Sequence, residues 1–77
     1  MSLAVAWTYS AEAALKRIHW RVASDVAGAV HRFAEGHAPA LRDGRYGFRG
    51  DGYEIVVRVN HTLGTVLVLY FYRRTPP

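Results

Sequence analysis

The sequence contains no cysteine, so disulfides cannot hold the fold and zinc cannot be held by thiolates; the absence fits a reducing compartment. Lysine is nearly missing too, since of the ten basic residues only Lys16 is not arginine. Proline is confined to Pro39 and the closing pair Pro76 and Pro77, which cannot extend a strand ladder. No apolar run approaches the roughly 20 residues needed to span a bilayer, the longest being "TVLVLYFY" at 65–72. The opening "MSLAVAWTYS" has no basic start of the secretory kind. These absences lead us to expect a cytoplasmic protein with no membrane segment.

What is present describes one small domain covering residues 1–77. Hydrophobic residues make up 51% and aromatics 13%, too apolar for a disordered chain. The formal net charge is +4 and is carried almost wholly by arginine. Guanidinium is a planar fork of donors suited to phosphate and stacks on aromatic rings, so nine arginines with five tyrosines suit a nucleic-acid or acidic-protein partner. Codon bias in a GC-rich genome explains such a count equally well, so position has to decide.

Residues 3–8, "LAVAWT", set Leu3, Val5 and Trp7 against Ala4, Ala6 and Thr8, the period of a strand. Ser10 is placed to cap a helix with Glu12 in its first turn. From there Leu15, Ile18, Val22, Val26, Ala29, Val30 and Phe33 form one helical stripe to about Glu35. One helix from Ser10 to Glu35 would be about 39 Å long, more than a domain this size accommodates. A helical hairpin is therefore expected, with one bent helix as the alternative; the break lies among His19, Trp20 and residues 23–25, where Ser24 or Asp25 could cap a second helix. The loop 35–44 holds two glycines and Pro39.

The rest reads as a three-strand antiparallel meander: 45–49, 53–60 and 65–74, with Gly50-Asp51-Gly52 as the first turn and "NHTLG" as the second. Tyr53, Ile55, Val57 and Val59 share the buried face of the middle strand. In the last strand Val66, Val68, Tyr70 and Tyr72 are expected to oppose Leu67, Leu69, Phe71 and Arg73, making both faces apolar and the strand central. The fold class is thus α+β in the order β-α-α-β-β-β, a helical hairpin packed on an antiparallel sheet of about four strands.

This order, together with "AWTYSAEAALKRI", "VHRFAEG", "YGFRGDGYEIVVRV" and "VLVLYFYRR", resembles the RelE/ParE superfamily of bacterial toxin components. The resemblance implies a toxin of a toxin–antitoxin pair, held by an acidic antitoxin and, in its RelE branch, cutting ribosome-bound mRNA by attack of the RNA's own 2′-hydroxyl on the adjacent phosphate. No cofactor and no metal are expected. By position the resemblance makes Arg49 and Arg73 the phosphate clamps and Tyr53 or Tyr72 the group that assists proton transfer. The sequence departs from the pattern at Gly47 and Glu54, where the pattern has arginine, and in its lack of strand lysines and of a terminal tyrosine. Glu54 beside a phosphate repels it unless it serves as a base. The ParE branch, which blocks DNA gyrase, and a binding module without chemistry are the alternatives.

Single residues carry plainer readings as well. Arg49 and Arg73 suit a phosphate site or a snorkelling sheet edge equally. Arg58 is expected to pair with Glu54 on one face of the middle strand. Tyr46, Tyr53, Tyr70 and Tyr72 could stack on bases, though packing is the commoner role of such rings. His31, Glu35 and His37 lack the spacing of a metal site, and His61 falls in a turn. Trp20 belongs either to the core or to an exposed groove on which a partner helix docks.

Overall fold

The computed structural model describes residues 2–50 and 52–74. Strand β1 (Ala4–Trp7) is followed by helix α1 (Tyr9–Arg17), helix α2 (Trp20–Gly36), a 3₁₀ turn (Ala38–Ala40) and strands β2 (Gly44–Gly50), β3 (Tyr53–Asn60) and β4 (Thr65–Arg73). The four strands form one sheet in the order β1-β4-β3-β2. The meander β2-β3-β4 is antiparallel, whereas β1 runs parallel to β4, so the sheet is mixed rather than wholly antiparallel. β4 is central, as its two apolar faces led us to expect, and β2 is an edge.

The helical stripe is divided into two helices, and the division falls earlier than the candidate caps at Ser24 and Asp25. Ile18 turns extended at φ −91° and ψ 162°, and His19 caps α2 by accepting the Arg21 amide on Nδ1 at 3.2 Å. The longest dimension of the molecule is 32 Å, shorter than the unbroken helix would be. The break lets Leu15 of α1, Ile18 just beyond it, and Val22, Val26, Val30 and Phe33 of α2 meet the same face of the sheet. There they close over Ile55, Val57, Val59, Val66 and Val68, which form the fully buried centre of the core. Trp20 is not part of it; its ring is 69% exposed, with the Arg21 guanidinium 5.4 Å from its centroid.

Two local devices fix how the sheet presents its side chains. The first is Thr8, which caps α1 in place of Ser10. Its hydroxyl accepts from the Ala11 amide at 3.1 Å and donates to the Leu69 carbonyl at 3.1 Å, while its amide donates to the Val68 carbonyl at 3.1 Å. Leu69 is the extra residue of a β-bulge, since Val57 pairs with Val68 but Val56 pairs with Tyr70. One hydroxyl therefore satisfies a helix start and the bulge carbonyl together, a cap of a kind that contributes about 1 kcal/mol. The bulge inverts the expected alternation beyond Val68: Phe71 and Arg73 join Val66 and Val68 on the helix side, and Tyr70 and Tyr72 move to the other face with Leu67.

The second device is Gly50, buried at the end of β2. A Cβ there would stand 2.7 Å from the Ala29 Cβ and 3.1 Å from the Ile55 Cδ1, so only glycine lets α2 sit this close to the edge strand. Phe33 of α2 then stacks on Phe48 of β2 with centroids 4.4 Å apart and planes 5° from parallel. At the far end of the sheet the β3–β4 turn is tied down by His61, whose amide donates to Asp43 Oδ1 at 2.7 Å. Its Nε2 lies 2.6 Å from the Leu41 carbonyl oxygen, a pairing that requires the ring proton on that nitrogen. His61 is thus a structural residue, in line with its place in a turn.

Candidate nucleic-acid interface

With both helices on one side, the other face of the sheet is left uncovered. The register lays it out in rows: Arg45 and Arg58 with Leu67; Gly47 and Val56 with Tyr70; Arg49 and Glu54 with Tyr72. Arg45, Arg49 and Arg58 are all exposed. Tyr70 and Tyr72 are 46% and 52% exposed and stack on one another with centroids 6.3 Å apart. Aromatic rings and guanidinium planes held open on a sheet face are the means by which proteins hold unstacked bases and backbone phosphates.

Arg45 stands directly opposite Arg58 in the ladder, and like charges so placed repel. Neither guanidinium has a carboxylate in ion-pair contact, because the only ion pair among the described residues is Glu12–Lys16 at 3.2 Å on α1. The pairing of Arg58 with Glu54 expected from the sequence is therefore corrected. Glu54 leans instead over the space left by Gly47, where a Cβ would meet its Oε1 at 3.9 Å. The other carboxylate oxygen, Oε2, is buried with no hydrogen-bond partner among the described residues. A buried carboxylate oxygen without a donor is costly in a fold.

The four residues drawn from the family pattern do not gather at one place. Arg49 and Tyr72 lie on the open face in one row, flanking Glu54; at a strand spacing of about 4.8 Å they are some two spacings apart. Tyr53 and Arg73 are ladder partners on the opposite, helix-bearing face. Tyr53 is half-buried there, edge-on to Phe71 at 5.8 Å, and belongs to the core's margin. The convergence of Arg49 and Arg73 on one phosphate is thus corrected, and the cause is the Leu69 bulge, which shifts Arg73 to the face that strict alternation would have denied it.

Sequence reasoning passed over Arg45 and took Arg58 for half of an ion pair. The signal was nonetheless present. Two residues, 51 and 52, separate the paired Gly50 and Tyr53, and a two-residue hairpin loop sets the register that puts Arg45 across from Arg58. Among the described residues no three His, Asp or Glu side chains gather as a metal site, and no helix is long and apolar enough to cross a membrane.

Comparison with solved structures relates this arrangement to known proteins. A chain of the toxin–antitoxin complex RelBE2 from Mycobacterium tuberculosis superposes with a TM-score of 0.70 at 24% identity, over 99% of this chain and 95% of that one. The fold is RelE-like. No family model and no curated protein matches the sequence. At this identity the likeness establishes the RelE-like architecture of helical hairpin and sheet, and the chemistry has to be argued from the residues on the face.

Proposed function

We propose that the protein is the toxin of a toxin–antitoxin pair and that its open sheet face binds and cuts messenger RNA on the ribosome. The observation that carries this reading is the unrelieved pair Arg45 and Arg58, with Arg49, on an uncovered face beside the stacked Tyr70 and Tyr72. The RelE-like fold and the neighbour's description as a toxin–antitoxin complex support the toxin role and an antitoxin partner, for which a basic protein of this kind fits an acidic segment.

The row Arg49, Glu54, Tyr72 supplies the parts that the reaction needs. The 2′-hydroxyl gives its proton to Glu54, and its oxygen bonds to the adjacent phosphorus. The bond from phosphorus to the 5′-oxygen breaks, and that oxygen takes a proton from Tyr72, leaving a 2′,3′-cyclic phosphate and a 5′-hydroxyl. Solvent then returns Glu54 and Tyr72 to their starting protonation. Arg49 stabilises the charge that builds on the phosphoryl oxygens, the largest contribution in reactions of this kind, while Arg58, four residues along β3 from Glu54, holds the RNA strand further along the face. Arg49 and Tyr72 keep the roles that the resemblance gave them. Glu54 supplies the base, and Arg73, on the other face, takes no part.

The separation of Arg49 from Arg73 favours one other reading, a nucleic-acid binder without chemistry. Induced expression discriminates. The proposal expects translation to stop first, with transcripts cut inside ribosome-protected segments. Arrest with intact transcripts indicates the binder, and arrest of replication with translation continuing indicates DNA gyrase as the target; either result overturns the proposal.

A further inference from the structure

A second cationic feature lies round the edge of the sheet from this face. Between α2 and the edge strand β2 runs a groove of about 350 Å³, lined by Arg32, His37 and Arg49 with Phe33 and Phe48 behind them. Among the described residues no carboxylate lines it, and Arg32, His37 and Arg49 are all exposed. Arg32 is held back along its own helix, because its Nη1 lies 3.2 Å from where a Cβ on Gly28 would stand. Gly50, whose missing side chain lets α2 approach β2, also lines the groove. Arg49 belongs to both surfaces: the register puts it on the open face, and it lines the groove.

We propose that this groove holds a second phosphate of the RNA strand whose first phosphate lies on the open face, so that the strand turns over the β2 edge at Arg49. The inference rests on the RNA-binding reading above and extends it to a site beyond the reacting phosphate. Arginine and histidine carry the kinds of N–H donor that a phosphodiester oxygen accepts, and three such residues line the groove. The groove's continuity with the open face through Arg49 favours the same strand over a separate ligand. β2 has no neighbour on its outer side among the described residues, so the path over the edge is free.

The test is fluorescence anisotropy with a labelled uridine nonamer and with diuridine phosphate, across a salt series, using the protein and its Arg32→Gln/His37→Gln variant. Both positions are exposed, so the variant keeps the fold. Expected is about tenfold weaker binding of the nonamer and a salt slope shallower by about 0.7, the value for one single-strand phosphate, with no change for the dinucleotide. Arg32→Lys should restore the slope. Equal binding of the nonamer by both proteins overturns the inference and leaves the open-face reading standing. An equal loss with the dinucleotide also overturns it, since that reports a general field rather than a second phosphate site. Loss of binding to a poly-glutamate peptide with RNA binding intact would assign the groove to an acidic peptide and overturn it as well. No binding of RNA by the unaltered protein would remove both proposals.

Discussion

Glu54→Gln is expected to slow transcript cleavage by about 10²–10⁴-fold, the contribution typical of a positioned general base, while tightening RNA binding. The glutamine is nearly isosteric, so it fits the same space over Gly47. It removes the only carboxylate that the strands present on the open face, and so removes repulsion from the phosphate between Arg49 and Tyr72. Its amide also costs less to leave buried than the unpartnered Oε2 of the carboxylate does now, so stability should be kept. The two effects point in opposite directions, which makes the result diagnostic. Single-turnover cleavage of ribosome-bound message measures the rate, and anisotropy measures the affinity. If Glu54 merely repelled the substrate, the variant would bind more tightly and cut at least as fast, and its role as base would be lost.

Phe33→Ala is expected to cost about 3–5 kcal/mol, the usual range for truncating a buried aromatic. Phe33 is 7% exposed and lies flat on Phe48, and this stack, with the close approach at Gly50, is what binds the edge strand to α2. A domain this small has a total stability of about 4–12 kcal/mol, so the variant should be close to unfolding at ordinary temperature. Urea denaturation measures it, with Leu63→Ser as the reference: Leu63 is 72% exposed in the β3–β4 turn, and its replacement should change stability by less than about 0.5 kcal/mol. A Phe33→Ala cost below about 1 kcal/mol would mean that β2 is held chiefly by its ladder to β3 and not by the helix.

Much of the architecture was legible because it depends on period and composition. The first strand, read at 3–8 and found at Ala4–Trp7, the long helical stripe, the middle strand's buried Ile55, Val57 and Val59, and the central place of β4 all follow from which residues are apolar and how they recur. Length against domain size gave the helical break, though not its cap. His19 caps through a ring nitrogen, a role that rankings based on Ser, Thr, Asp and Asn do not anticipate. Thr8 was preferred over Ser10 because it alone also reaches the Leu69 carbonyl, a hydrogen bond across sixty-one positions of sequence that no local rule contains.

The candidate site was legible in part. Arg49 and Tyr72 could be found from the resemblance, and they do share a face. Arg73 and Tyr53 could not be placed, because a single unpaired residue in β4 decides the face and no glycine marks it. The sequence "VLVLYFY" is apolar on either assignment, so alternation carried no warning. Arg58 was misread for a related reason: Glu54 lies two places from Val56 and four from Arg58 along one strand face, but the room that Gly47 leaves on the neighbouring strand draws its carboxylate elsewhere.

The central claim is that the anion binds the uncovered face of the sheet and not the helix-bearing one. Equilibrium binding of single-stranded RNA by Arg45→Gln/Arg58→Gln and by Arg73→Gln, each across a salt series, tests it most directly. The account predicts a salt slope shallower by about 0.7 for each phosphate that no longer meets an arginine in the first variant, and an unchanged slope in the second. A shallower slope in Arg73→Gln alone, with Arg45→Gln/Arg58→Gln binding as the unaltered protein does, would contradict it.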